Sequence, residues 1–246
     1  MSDWQRLRYD IWSGGYDWFV GIGAVTAARR RSIGLLDLQP RERLLIDGCG
    51  TGLDLPFVPD GVEVTALDLS PRMIAHARRR AARRSLAARI EVGDVTRLPY
   101  EDDSFDAVLL HLILAIVADP HACLREAARV LRPGGRAAVF DKFVPGPGCR
   151  PGLLRRALNL PSRLLFTDLT RCLEPLVAAS PLAIEYQEPS LLGGQFRIAR
   201  LRHAADVAER VVPDATTAAQ APVDRAAPAA DTLGSGPGPS ARRPTV

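Results

Sequence analysis

Residues 44–56 read LLIDGCGTGLDLP, and this stretch decides the fold class. A short apolar run that ends in Asp47 is typical of a buried parallel strand. Gly48, Gly50 and Gly52 then follow on alternate positions. Glycines at a strand end allow a tight turn and let a ligand press against bare backbone. The stretch therefore predicts a strand followed by a ligand-binding loop.

Strand-like and helix-like segments alternate along most of the chain. Strands are predicted at residues 43–47, 62–68, 89–94, 105–111 and 135–142, with a late pair near 184–192 and 196–203. Helices are predicted within 70–85 and 119–135, because Ser70 and Asp119 are good N-caps and each precedes a proline. This alternation predicts a doubly wound α/β fold whose sheet is mostly parallel, with an antiparallel edge strand.

The composition bounds the class of protein. The chain has 246 residues, of which 47% are hydrophobic, and a net charge of +4, which suits one good-sized, mildly basic domain. Its four cysteines show no CxxC pair, which predicts reduced thiols and no metal site. The polar first residues and the lack of an apolar run of about 18 residues predict a cytoplasmic protein.

Two further acidic residues lie at the ends of the next predicted strands. Asp68 follows Asp47 by about 20 residues, the spacing at which a carboxylate binds ribose hydroxyls. Asp94 ends the third strand, where it could face the exocyclic amine of adenine. Asp47 beside the loop would repel a pyrophosphate and attract a cationic ligand. Together these acids favour S-adenosylmethionine, which carries an adenosine, an ammonium and a sulfonium, over a dinucleotide.

The motifs, in this order, resemble those of the class I S-adenosylmethionine-dependent methyltransferases. The likeness runs from about Tyr9 to His203 and is carried by LLIDGCGTG, ALDLSPRMIAHAR, GDVTRLPYEDDSFDAV and LREAARVLRPGG. Within that class, YDIWSGGYDWF and HLILAIVADP are similar to the ubiquinone/menaquinone methyltransferases and to the bacterial phosphatidylethanolamine N-methyltransferases, the latter more closely. The resemblance implies a Rossmann-like sheet of seven strands.

The chain divides into three parts in this interpretation. Residues 1–36 would form an N-terminal helical cap of the catalytic domain. Residues 37–211 would form the methyltransferase domain, with a lid insertion at about 145–180. Residues 212–246 are rich in Ala, Pro and Gly and contain no aromatic residue. That composition predicts a disordered tail, because it buries too little apolar surface to offset the entropy of ordering.

The resemblance also implies which residues contact the cofactor. Asp47 and the loop 48–52 would hold the methionine part, Asp68 would bind the ribose hydroxyls, and the residues after the third strand would meet the adenine. Tyr9 and Tyr16 would close the site from above. The predicted contacts are, in chain order, Tyr9, Asp47, Gly48, Cys49, Gly50, Thr51, Gly52, Asp68, Leu69, Met73, Gly93, Asp94, Val95, His111 and Leu112.

Methyl transfer from a sulfonium is an in-line displacement, so the protein mainly aligns the nucleophile, the methyl group and the sulfur. An amine or hydroxyl acceptor must also lose a proton. His111 is the predicted base, because its ordinary pKa of about 6.5 lets it accept a proton near neutral pH. Tyr16 and Lys142 complete the predicted catalytic set, and Asp141 is a further candidate. The alternative to a catalytic role is that His111 is a buried strand-end residue whose hydrogen bonds go to the backbone.

The acceptor side of the sequence favours a lipid-like or small-molecule substrate. Aromatic and basic residues, Arg29–Arg31 among them, interleave in residues 1–36 and again at 150–166. That mixture is typical of an anionic membrane surface, although ordinary amphipathic helices would also explain it. The amine of phosphatidylethanolamine is the leading predicted acceptor. A ring carbon of a prenyl-quinol precursor is second, and a secondary metabolite is the wider alternative; the oligomeric state stays open.

A second basic cluster, Arg78–Arg84, lies on the helix predicted after the second strand. A solvated helix face is the favoured interpretation, because no aromatic residue interleaves with the arginines and no base-reading motif is present. Nucleic acid is therefore not expected as a partner. A cofactor-binding scaffold without turnover also stays open, because the fold can keep a cofactor site after losing an acceptor site.

Overall fold

The computed structural model describes residues 23–144, 149, 151–152, 159 and 168–211. Most of the predicted N-terminal cap, most of the lid insertion and the predicted tail lie outside the described residues. Tyr9 and Tyr16 are among the residues outside, so the closure of the site by these two side chains stays a prediction.

The described helices and strands alternate as the sequence predicts. In chain order they are α1 (Gly23–Gly34), β1 (Arg43–Asp47), a 3₁₀ turn (Leu55–Phe57), β2 (Glu63–Asp68), α2 (Pro71–Arg83), β3 (Ala88–Val92), β4 (Phe105–His111), α3 (Pro120–Val130), β5 (Leu131–Lys142), α4 (Leu173–Ala178), β6 (Leu182–Pro189), α5 (Leu191–Gly194), β7 (Phe196–His203) and α6 (Ala204–Val211).

The strands form one seven-stranded sheet in the order β3-β2-β1-β4-β5-β7-β6. Strands β1 to β5 pair in parallel, whereas β7 pairs antiparallel with both β5 and β6. The strand order reverses between β1 and β4, which is where an open α/β sheet forms its ligand crevice. This topology confirms the predicted Rossmann-like fold and places the loop after β1 at the crevice.

The caps of the two main helices are as predicted. Ser70 Oγ accepts a hydrogen bond from the Met73 amide at 3.3 Å, and Asp119 Oδ1 accepts one from the Ala122 amide at 2.9 Å. Helix α3 ends at Val130, slightly before the predicted stop, because Leu131 already pairs with β4. These caps fix the start of α2 and α3 at the same sheet edge as the crevice.

The core lies on both faces of the sheet. Strand β4 is buried at every position, since β1 and β5 flank it and helices cover both of its faces. Ile33 of α1 and Ile74 of α2 pack on one face, and Leu124 of α3 and Leu173 of α4 pack on the other. The strand ends that border the crevice are therefore held rigidly from both sides.

One prediction about the cysteines is wrong. Cys149 and Cys172 form a disulfide, with their Cα atoms 5.8 Å apart, whereas Cys49 and Cys123 are free and buried. The two half-cystines are 23 residues apart, a separation that carries no sequence signal. The Val144 amide donates to the Arg171 carbonyl at 2.9 Å, which holds the residue before Cys172 next to the end of the segment that follows β5.

The described helices are short, from 4 residues in α5 to 13 in α2. None of them combines the length and the apolar character that a bilayer crossing requires.

Candidate active site

The loop after β1 has a backbone that only glycine adopts without strain. Gly48, Gly50 and Gly52 have φ values of +76°, +53° and +79°. A Cβ on Gly48 would lie 2.7 Å from Ile113 Cδ1, and one on Gly52 would lie 3.0 Å from Ala77 Cα. A Cβ on Gly50 would meet nothing within 4 Å. Two of the glycines therefore serve close packing, and Gly50 leaves open space at the crevice.

Asp68, at the end of β2, anchors this loop. Its Oδ2 accepts a hydrogen bond from the Gly50 amide at 2.9 Å, and its Oδ1 accepts one from the Ser70 amide at 2.9 Å. Burial raises the pKa of Asp68, although these two amides oppose the rise. Each carboxylate oxygen can accept more than one hydrogen bond, so Asp68 keeps acceptor capacity for a ligand hydroxyl.

Asp47, at the end of β1, is an incompletely satisfied buried carboxylate. It is 0% exposed, and Oδ2 accepts only a weak bond from Cys123 Sγ at 3.7 Å. Oδ1 has no hydrogen-bond partner in the described part of the chain. Burial raises the pKa of Asp47 well above its ordinary value. A buried acceptor without a partner is costly, and a cation at the crevice would relieve that cost.

Cys49 and Thr51 are both buried within the loop. The Cys49 amide donates to the Leu67 carbonyl at 2.8 Å, which ties the loop to β2. Burial raises the pKa of the Cys49 thiol well above its ordinary value, which favours the protonated thiol over the reactive thiolate.

The predicted adenine contacts lie together beyond β2 and β3. The Gly93 amide donates to the Asp68 carbonyl at 3.0 Å, which brings the two strand ends side by side. Asp94 is exposed, and its Oδ1 accepts bonds from the amide and hydroxyl of Thr96 at 2.9 and 2.7 Å. Met73 and Val95 are buried, and Leu69 is half-buried. The crevice thus combines an exposed carboxylate with apolar side chains along one edge.

His111, at the end of β4, lies in a buried polar network. Its Nδ1 is 2.8 Å from Asp54 Oδ1, and its Nε2 is 2.9 Å from Ser32 Oγ. Arg29 Nη1 donates to the other oxygen of Asp54 at 2.7 Å. All four side chains belong to buried residues. Three separate parts of the chain are joined at this point: α1, the segment after the glycine loop, and β4.

The charges of this network follow from burial and ion pairing. Burial alone would raise the pKa of Asp54, yet Arg29 and His111 together hold it well below its ordinary value. Burial lowers the pKa of His111, and the Asp54 carboxylate opposes only part of that effect. A neutral imidazole satisfies both contacts when Nδ1 carries the proton and Nε2 accepts from the Ser32 hydroxyl. Both ring nitrogens are thus engaged, by side chains rather than by the backbone.

Asp141 and Lys142 lie at the end of β5. Asp141 is 1% exposed and accepts hydrogen bonds from the Ala115 and Lys142 amides at 2.8 and 2.7 Å. Burial raises the pKa of Asp141 to about 6. Burial also lowers the pKa of the half-buried Lys142, whose Nζ lies 5.6 Å from the centre of the Phe196 ring. Asp141 therefore joins β5 to the segment after β4, and Lys142 is the more accessible of the two.

Leu112 has a strained backbone at the floor of the crevice. Its φ is +56°, which is unusual for a leucine, and its amide donates to the Phe140 carbonyl at 2.8 Å. The side chain packs with Val25 and Ala28 of α1. The turn after β4 is therefore fixed jointly by β5 and α1.

The sequence interpretation missed three members of the His111 network. Arg29 was expected at a membrane surface, and this expectation is wrong because its guanidinium is buried against Asp54. Asp54 could have been identified from the sequence, because it is an acidic residue between the apolar residues Leu53 and Leu55, directly after the glycine loop. Ser32 carried none. Arg31 also pairs on the protein, with Glu188 at 3.0 Å.

Comparison with known proteins agrees with this geometry. A family model described as a methyltransferase domain matches residues 46–139, which include the glycine loop, Asp68, Asp94 and His111. The demethylmenaquinone methyltransferase of Beutenbergia cavernae is 35% identical over 208 residues, covering 83% of this chain and 80% of that protein. The phosphatidylethanolamine N-methyltransferase of Cereibacter sphaeroides is 30% identical over 162 residues, covering 65% and 79% respectively.

A solved structure shows the same fold. The geranyl diphosphate methyltransferase in complex with S-adenosylmethionine superposes with a TM-score of 0.61 at 18% identity, over 72% of this chain and 85% of that one. The match to the Beutenbergia cavernae protein spans 208 residues, more than twice the length of the segment that the family model matches. These matches, with the sheet order and the glycine loop, show that the chain belongs to the class I S-adenosylmethionine-dependent methyltransferases.

Proposed function

We propose that this S-adenosylmethionine-dependent methyltransferase methylates a membrane-borne, lipid-like acceptor, with a ring carbon of a prenyl-quinol precursor as the first candidate. The observation that carries this choice is the breadth of the match to a demethylmenaquinone methyltransferase, at 35% identity over 83% of the chain. The second candidate is the amine of phosphatidylethanolamine. The corresponding relative is 30% identical over 65% of the chain, which reverses the order expected from the sequence.

The residues at the crevice fit S-adenosylmethionine. Asp47 supplies a buried carboxylate oxygen that lacks a partner in the described part of the chain, as an ammonium group would require. Gly50 leaves open space where a side chain would otherwise stand. We assign Asp47 and the loop 48–52 to the methionine part, Asp68 to the ribose, and Asp94 with Met73 to the adenine. When bound, the cofactor supplies an activated methyl group on a sulfonium.

Positioning is the main task that these residues perform. Asp68 holds the Gly50 amide, and the His111 network joins the segment after the loop to α1 and β4, so these contacts fix the shape of the crevice. A near-attack geometry can lower the barrier by several kcal/mol when the surrounding groups are already in place. We infer that His111 contributes as a positioning residue, because both of its ring nitrogens are engaged.

Proton removal falls to a different group in this proposal. Lys142 lies at the carboxyl end of β5, is half-buried, and has a lowered pKa. Its Nζ is the better candidate for accepting a proton from a quinol hydroxyl or an ammonium headgroup. A quinol ring carbon needs less help from a base, since its proton leaves after the new carbon–carbon bond has formed.

Radiolabelled methyl transfer tests the proposed function. The full chain is incubated with labelled S-adenosylmethionine and detergent-solubilised acceptor, either demethylmenaquinol kept reduced or phosphatidylethanolamine. Label in the quinol fraction is the expected result, and label in the phospholipid alone would select the second candidate. Label in neither fraction, with the cofactor still bound, would overturn the lipid-like acceptor.

A further inference from the structure

Helix α2 carries five arginines and no acidic residue over Pro71–Arg83. Met73, Ile74, Ala77 and Ala81 form its buried stripe, which packs on the sheet. Most of the arginines lie on the opposite, exposed side. The exposed members are Arg72, Arg78, Arg79 and Arg83, and Arg84 follows directly.

This arrangement suits the helix dipole only in the last turn, where Arg80 and Arg83 stand. Arg72 stands in the first turn, where the helix dipole is positive and disfavours a cation. Arg79 and Arg83 are four residues apart, as are Arg80 and Arg84, so like charges face each other along the helix. A solvated helix gains more from alternating acids and bases. The charge pattern therefore calls for an explanation outside the helix.

Four of these guanidinium groups keep their charge unneutralised in the described part of the chain. Arg78 Nη2 donates to the Ile90 carbonyl at 2.7 Å, and Arg84 Nη1 donates to the Pro56 carbonyl at 2.8 Å. A carbonyl orients a guanidinium without cancelling its charge. Arg79 and Arg83 contact no carboxylate among the described residues. All four face water as full positive charges.

The positive surface continues onto the neighbouring elements. Arg30 of α1 lies over the ring of Phe57, with its Cζ 5.3 Å from the ring centre. Phe57 belongs to the 3₁₀ turn, and Arg84 holds the same turn through Pro56. Helices α1 and α2 also share one hydrophobic cluster beneath them. We call the surface formed by Arg30, Arg78, Arg79, Arg83 and Arg84 the basic face.

The N-terminal end of α2 lies at the crevice, and the basic face lies toward its C-terminal end. The amide of Ser70, which caps α2, donates to Asp68, the predicted ribose ligand. From that edge α2 runs about 20 Å along the sheet, at a rise of about 1.5 Å per residue. Arg78 and Arg84 follow Ser70 by 8 and 14 residues, so a partner seated on the basic face would lie about 12 to 20 Å along the sheet from the rim of the crevice.

We propose that the basic face docks the enzyme onto an anionic phospholipid surface. The choice of a membrane rests on the proposed function, because a prenylated or acylated acceptor has to be taken from a bilayer. Nucleic acid is the poorer match, since the aromatic ring on this face, Phe57, is half-buried and covered by Arg30 rather than open for stacking. An arginine near such a membrane surface strengthens binding by about fivefold, and salt weakens the effect.

Vesicle sedimentation tests the docking. The full chain is mixed with phosphatidylcholine vesicles that contain phosphatidylglycerol, and with vesicles of phosphatidylcholine alone, at rising salt. The variant is Arg79→Gln/Arg83→Gln. The matched control is Arg97→Gln/Arg125→Gln, which removes the same charge from exposed positions, one on α3 and one in the loop that contacts it. We expect about 25-fold weaker binding for the variant and less than twofold for the control.

Three results would overturn the docking. The first is an equal loss of vesicle binding in the two double variants. The second is equal binding of the wild type to vesicles with and without phosphatidylglycerol. The third is binding to duplex DNA without binding to vesicles. Methyl transfer in detergent separates this inference from the proposed function. If methyl transfer occurs in detergent but the protein does not bind vesicles, only the docking proposal is wrong. If vesicle binding depends on Arg79 and Arg83 but no methyl transfer occurs, only the proposed acceptor is wrong.

Discussion

Asp54 Oδ1 and His111 Nδ1 lie 2.8 Å apart, although 57 residues separate them in the chain. Asp54 follows the glycine loop, and His111 ends the central strand β4. Arg29 of α1 completes the ion pair on the other carboxylate oxygen. The contact therefore couples the segment after the glycine loop to β4 and, through Arg29, to α1, and it gives His111 a buried side-chain partner.

Removing the charge of Asp54 should be costly. Asp54→Asn keeps an oxygen for the His111 Nδ1–H but removes the carboxylate charge that pairs with the buried Arg29 guanidinium. We expect a loss of about 3–5 kcal/mol in the free energy of unfolding, measured by urea titration at pH 7. The double variant Arg29→Met/Asp54→Asn should recover much of that loss, because the buried cation is then gone. If the loss of stability in the double variant equals the sum of the losses in Arg29→Met and Asp54→Asn, the coupling between the two residues is contradicted.

The role of His111 can be separated from that of a base. His111→Gln should lower kcat/KM, because the loop and β4 lose a shared contact, while the pH dependence of kcat/KM keeps its shape. Ser32→Ala serves as the companion variant, since it frees Nε2 and leaves the ring in place. If the pH profile of kcat/KM loses an ionisation in His111→Gln but not in Ser32→Ala, His111 is the base instead.

Gly50 and Gly134 form a matched pair for testing the crevice. Both have positive φ values, +53° and +74°, and a Cβ on either would meet nothing within 4 Å. Alanine at each position should cost about 1 kcal/mol of stability through backbone strain. We expect only Gly50→Ala to weaken S-adenosylmethionine binding by tenfold or more, as measured by calorimetry. Equal affinities of the two variants would move the cofactor away from the loop.

Asp141 predicts a specific pH dependence of stability. Its folded pKa of about 6 lies above the ordinary carboxyl value, because burial disfavours the charged form. The stability that this group contributes is fully present below its unfolded pKa of about 3.9 and is lost as the pH rises through about 6. Relative to the wild type, Asp141→Asn should therefore gain on the order of 2 kcal/mol between pH 4 and pH 7. A difference in unfolding free energy that does not change with pH would contradict this.

Much of the fold was predictable because local signals agree with one another. The apolar runs at 43–47 and 105–111 coincide with β1 and β4, and the Ser70-Pro71 and Asp119-Pro120 pairs mark the starts of α2 and α3. Such signals act within a few residues, so a single sequence carries them. The glycine loop and the acids at the ends of the first three strands were identified from local signals of the same kind, and their contacts with the cofactor stay a prediction.

The contacts that sequence reasoning missed are all long-range. Arg29 stands in an ARRR run that indicates a solvated or membrane-facing surface, yet its partner Asp54 is 25 residues away. The Cys149–Cys172 disulfide likewise joins residues that are 23 positions apart in the chain. Whether a charge is buried is decided by tertiary packing, and a run of arginines alone does not reveal which of them turns inward.

The cofactor assignment of Asp68 leads to the most direct test of the account. Asp68→Ala should weaken S-adenosylmethionine by on the order of 2–4 kcal/mol, because two charge-assisted hydrogen bonds to the ribose are lost. Asp60→Ala, which changes an exposed carboxylate away from the crevice, is the control. The measurement is labelled methyl transfer to demethylmenaquinol and phosphatidylethanolamine at subsaturating cofactor, by the wild type and both variants. The account predicts label in one of these lipids with the wild type and Asp60→Ala, and little with Asp68→Ala. Equal transfer by all three proteins, or transfer to neither lipid, would contradict it.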